Sequence, residues 1–65
     1  MKVINKNGYE LDFDAAVELM DDDIREQIAS QGDCETEQKF FSAYETAYAE
    51  KYGEDWELSK ANPTW

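Results

Sequence analysis

Apolar and polar residues alternate with period two over the first 13 positions of the chain and recur at helical spacing after that. Asn7-Gly8 sits midway through the alternating stretch. It is a strong short-range hairpin signal, because a type I′ turn needs positive φ at both central residues. A two-residue loop pairs Lys6 with Tyr9, Asn5 with Glu10, Ile4 with Leu11, Val3 with Asp12 and Lys2 with Phe13. Alternation then puts Ile4, Tyr9, Leu11 and Phe13 on the core face beside the stems of Lys2 and Lys6. Val3, Asn5, Glu10 and Asp12 take the opposite face.

Residues 14–30 read as helix, with Asp14 as its N-cap. Ala16, Val17, Met20, Ile24 and Ile28 fall within an arc of about 120°. Asp14, Glu18, Asp21, Asp22 and Glu26 lie on the other side. Asp21-Asp22-Asp23 is a poor helix interior and a good helix start, so the segment is expected to kink or to split at 21–23. Gly32 provides a left-handed stop in the turn that follows. A second long helix is predicted over 36–52, where Phe40, Tyr44, Tyr48 and Tyr52 recur every fourth residue, flanked by Phe41 and Ala47. That stripe reads as core, with Gly53 ending the helix. The tail 53–65 carries Trp56, Leu58 and Trp65, and Pro63 bars further helix there. It is expected to fold back over the core. The pattern predicts one α+β domain over residues 1–65, an N-terminal β-hairpin packed on two to three α-helices.

Charge changes this picture. The chain has 65 residues and a net charge of −10. Between Glu10 and Glu37 stand eleven carboxylates against a single cation, Arg25. Residues 1–9 are net +2 and residues 38–65 net −2, so the molecule is polarised along its sequence. High charge and low hydropathy are also the signature of disorder. Nine aromatic residues at ordered spacings argue for a folded chain instead.

The sequence offers little catalytic chemistry. It contains no histidine, the commonest general base and metal ligand. Cys34 stands between Asp33 and Glu35, which disfavour its thiolate, and no second cysteine exists for a disulfide or a zinc site. A lone thiol fits a reducing cytosol. Asp12, Asp14, Glu18 and Asp23 match some positions of a calcium loop, but Val17 occupies the position that needs glycine. No cofactor and no metal are expected, and the protein is not expected to be an enzyme. No signal peptide and no stretch of about 20 apolar residues is present. Nucleic acid and anionic membrane would both be repelled by the acidic segment.

The candidate site is that segment: Glu10, Asp12, Asp14, Glu18, Asp21, Asp22, Asp23, Glu26, Asp33 and Glu35. Taken singly, each acid is explained by solvation or by a helix dipole, worth about 0.3–1 kcal/mol at a helix start. Taken together they repel one another, and i/i+4 like charges destabilise a helix. Duplex DNA presents one charge per roughly 1.7 Å of axis. About eight carboxylates over a hairpin edge and a helical face come within a factor of two of that density. A basic groove shaped for phosphates would attract such a face, which is the physical case for DNA mimicry.

The order of elements and motifs resembles a known family. These are the short hairpin, Phe13-Asp14-Ala15-Ala16-Val17, Met20-Asp21-Asp22-Asp23-Ile24-Arg25, Thr36-Glu37-Gln38, Phe41-x-x-Tyr44 and Glu50-Lys51-Tyr52-Gly53-Glu54-Asp55. Together they resemble very small acidic phage proteins that inhibit type I-C CRISPR systems. The resemblance implies an inhibitor that binds without catalysis in the host bacterial cytoplasm. Its implied partner is the large DNA-recognising subunit of the type I-C surveillance complex. The charge pattern alone leaves other targets open, such as a restriction enzyme or a nucleoid protein. A third reading is a small scaffold that binds partners through Trp56, Trp65 and tyrosine edges. A monomer is expected.

Overall fold

The computed structural model describes residues 2–32 and 35–60. Asp33, Cys34, Pro63 and Trp65, which figure in the sequence reading, lie outside the described residues. A hairpin of β1 (Lys2–Ile4) and β2 (Glu10–Asp12) leads directly into α1 (Phe13–Leu19) and α2 (Asp22–Gln31). The long α3 (Glu37–Tyr52) and a single turn, α4 (Glu57–Lys60), complete the chain. The architecture is the expected α+β domain, with α2 lying along α3, α3 packed on β1 and α1 on β2.

The hairpin register differs from the expected one by one residue. Lys2 pairs with Asp12, Val3 with Leu11 and Ile4 with Glu10. Only Gly8 has positive φ, at 87°, so the I′ turn does not form. Gly8 N–H donates to the Asn5 carbonyl at 2.9 Å and Asn5 N–H to the Tyr9 carbonyl at 2.8 Å. This is a three-residue loop with its left-handed position at glycine. A one-residue slip turns a strand over. Val3 is therefore buried and Ile4 exposed, while Leu11 stays inside. Asn5 also turns inward, where both ends of its amide are hydrogen-bonded. Its Oδ1 accepts from the N–H groups of Asn7 and Tyr9, and its Nδ2 donates to the Leu58 carbonyl.

The outer edge of β1 is covered by side chains of α3. Gln38 accepts from Ile4 N–H at 2.7 Å and donates to the Ile4 carbonyl at 2.9 Å. Glu45, buried on α3, accepts from Lys6 N–H at 3.0 Å. Two side chains thus stand in for a third strand, closing an edge that would otherwise template association.

The predicted helix at 14–30 is two helices. Its N-cap is Asp12 rather than Asp14, and the Asp12 side chain makes no capping bond. Met20 and Asp21 are extended, and Asp21 caps α2 by accepting from Ile24 N–H at 3.2 Å. Thr36 caps α3 in the same way through Lys39 N–H. Gly32 and Gly53 end α2 and α3 in left-handed geometry.

The core joins Val3, Leu11, Ala16, Met20, Ile24, Ile28, Phe41, Tyr44 and Trp56. Trp56 lies against Tyr44 with ring centroids 4.5 Å apart and against Phe41 at 5.9 Å. The tail folds back as expected as far as residue 60, and Trp56 is a core lid. The aromatic stripe grades outward along α3: Tyr44 is fully buried, Tyr48 half-buried and Tyr52 exposed.

Candidate functional site

Strand β2 buries Leu11 and exposes Glu10 and Asp12 on either side of it. Residues two apart on a strand stand roughly 7 Å apart on one face. Helix α1 follows at once and exposes Asp14 and Glu18, one turn apart on its surface. Glu10, Asp12, Asp14 and Glu18 form no ion pair among the described residues. Glu26, exposed on α2, is equally without one.

The other candidates behave differently. Asp22 pairs with Arg25 at 2.9 Å and Glu35 with Lys39 at 3.3 Å. Lys51 of α3 approaches Asp23 to 3.6 Å and Asp21 to 3.8 Å. Asp21 is the most committed of all, because besides capping α2 it accepts from the Tyr52 hydroxyl at 2.5 Å. Its own N–H donates to the buried Tyr44 hydroxyl at 2.8 Å. Two tyrosines about two turns apart on α3 thereby fix the break between α1 and α2.

The titration directions follow from these contacts. The Tyr52 hydrogen bond, then the Ile24 N–H, hold the Asp21 carboxyl below its ordinary value of 3.8. The same bond to Asp21 raises the Tyr52 hydroxyl above 10.0, and desolvation adds to it. Burial pushes Tyr44 up. At Lys51 desolvation pulls down, but the Tyr52 hydrogen bond and the charges of Asp21 and Asp23 together outweigh it, so the ammonium is held above 10.5.

The predicted cluster is thus divided. Its N-terminal half, on β2 and α1, displays exposed carboxylates that form no ion pair among the described residues. Its middle is tied to α2 and α3 and serves the fold. Sequence reasoning recognised Asp21–Asp23 as a helix start but gave no sign of the Tyr52 and Lys51 partners, which lie about 30 positions away in the chain.

Between β2 and α1 lies a cleft of about 280 Å³ that the sequence reading missed. Leu19 forms one side and is 65% exposed, more than any other large apolar residue described. A signal existed: Leu19 sits about 200° from Val17 around the helix, on its polar side. A second hollow of about 680 Å³ runs between β1 and α3 past Lys6, Gln38 and Glu45. Among the described residues no three potential ligands converge on a metal-sized site, and no helix is long and apolar enough to cross a membrane.

Fold and charge define a class of protein: a small acidic α+β domain with an array of exposed carboxylates on one hairpin edge and the adjoining helix. The family model for Anti-CRISPR protein AcrIC5 matches residues 4–56, from the end of β1 through Trp56, and the chain belongs to that anti-CRISPR family. It is an anti-CRISPR inhibitor of phage type, and its partner is a CRISPR–Cas protein. No curated protein sequence matches the chain.

Proposed function

We propose that this protein mimics DNA. In this reading its acidic face enters the basic channel of the large, DNA-recognising subunit of a type I-C surveillance complex and blocks target loading. The observation that carries the reading is the set of exposed carboxylates at Glu10, Asp12, Asp14 and Glu18, joined on α2 by Glu26, that form no ion pair among the described residues. Asp22 and Glu35, by contrast, lie beside Arg25 and Lys39. RNA-guided effectors hold nucleic acid in positively charged channels and read a short duplex motif beside the target. An array of fixed anions competes for such a channel and releases counterions as DNA does. Inhibition is by occupancy, without catalysis and without a cofactor, by a monomer in the host bacterial cytoplasm.

The scaffold reading loses support, because Trp56 is a core residue and only 6% exposed. Membership of an anti-CRISPR family likewise disfavours a restriction enzyme or nucleoid protein as target.

The test is a gel-shift competition. Purified type I-C complex receives labelled target DNA with the protein added before or after, at two salt concentrations. Prior addition is expected to prevent loading, and the block is expected to weaken as salt rises. Normal loading after prior addition would refute the reading.

A further inference from the structure

We propose that the cleft between β2 and α1 receives one arginine side chain of the partner, so that the inhibitor recognises a particular residue and not only a field. The proposal rests on the reading above and adds the site that gives it specificity. Buried Leu11 and Ala16 and half-buried Leu58 line the cleft together with exposed Ala15 and Leu19, one helical turn apart. Glu10 and Asp12 stand at its rim. Among the described residues Lys2 is the single cation of the lining, across the ladder from Asp12, and those side chains are net negative. Asp14 and Glu18 flank Ala15 and Leu19 on the same helix and deepen that negative field.

An apolar trough with an anionic rim selects its occupant. A phosphate or a carboxylate is repelled by the rim, and a purely aliphatic side chain leaves the rim unanswered. A long cationic side chain satisfies both, with its methylene stem on the apolar lining and its charged head at the rim. Two carboxylates on residues spaced roughly 7 Å apart along β2 suit a guanidinium, whose planar fork donates in two directions, better than a point-like ammonium. Exposing Leu19 has no benefit to the free domain. Its exposure is explained if the partner covers it.

Two measurements separate this idea from mimicry by charge alone. The first titrates 15N-labelled protein with N-acetyl-arginine N-methylamide, with guanidinium chloride as a stemless control. The arginine derivative is expected to shift the amides of Leu11, Ala15, Ala16 and Leu19 selectively and to saturate at lower concentration than guanidinium. Shifts spread equally over every carboxylate, or equal saturation by the control, overturn the proposal. The second uses Ala15→Trp, which fills the cleft from an exposed helical position and keeps the net charge at −10. With its melting temperature and circular dichroism retained, it is expected to inhibit at least tenfold less well, with the salt dependence of the residual block unchanged. Inhibition equal to wild type overturns the cleft and leaves mimicry standing. Leu19→Ser removes one side instead of filling the cleft and gives the same reading if the Trp variant folds poorly. Should the wild-type protein fail to block the type I-C complex, the mimicry reading falls, and the titration still decides whether the cleft takes arginine.

Discussion

Glu18 offers the sharpest separation of function from stability. It lies in the last turn of α1 (Phe13–Leu19), a turn with no basic residue, where a negative charge opposes the helix dipole. It is also four residues from Asp14, at the spacing where like charges repel. Relief of the dipole conflict is worth about 0.3–1 kcal/mol and relief of the repulsion about 0.2–0.5 kcal/mol, so Glu18→Gln should stabilise the domain by about 0.5–1.5 kcal/mol. For a domain of this size each kcal/mol moves the melting temperature by about 4–8 °C, giving a rise of roughly 2–12 °C. Inhibition should move the other way. Loss of one exposed charge–charge contact, about 0.2–1 kcal/mol, raises the half-inhibitory concentration roughly 1.5- to fivefold. Both quantities are read on one preparation, by circular-dichroism melts at low salt and by the DNA-loading competition. Asp22→Asn is the control, since it discards the Arg25 pair and a favourable first-turn charge and should melt lower than wild type. A Glu18→Gln protein that melts no higher than wild type, or inhibits just as well, would refute the assignment of this carboxylate to partner binding.

Three further outcomes follow from the geometry. Tyr44→Phe deletes the acceptor for Asp21 N–H and should cost about 1 kcal/mol, a fall of roughly 4–8 °C in Tm; no change would mean that this bond contributes nothing net. Asp21 is depressed below 3.8, so the stability it adds is present above that pH and is lost as pH falls through its lower native value. Tyr52→Phe removes the largest cause of the depression and should move the acid midpoint to higher pH in equilibrium unfolding, whereas an unmoved midpoint would place the acid sensitivity elsewhere. The Tyr44, Tyr52 and Lys51 values are raised, so their contributions hold at lower pH and fade as pH rises through the native values, above 10.0 for the tyrosines and 10.5 for the lysine. Gln38→Ala opens the outer edge of β1, and the Ile4 amide should then exchange with solvent at least tenfold faster under native conditions; unchanged protection would show that Gln38 does not seal that edge.

Local sequence pattern specifies the elements, their order and the apolar faces of the helices. Periodicity fixes these locally, and the turn residues Gly8, Gly32 and Gly53 and the caps Thr36 and Asp21 sit where the chain must change direction. The net charge and its confinement to residues 10–37 were equally legible, since charge depends only on composition and position. Tertiary structure alone decided the hairpin register. Asn7-Gly8 favours a two-residue turn, but Asn5 gains three hydrogen bonds by turning inward, one of them to Leu58, 53 positions away. Val3 then takes the place expected for Ile4. Tertiary structure also decided which acids are neutralised. Lys51 and Tyr52 reach Asp21 only because α3 lies along α2, whereas Glu10, Asp12, Asp14 and Glu18 form no ion pair among the described residues. A sequence specifies how many charges a chain carries, but long-range packing determines which of them remain available to a partner.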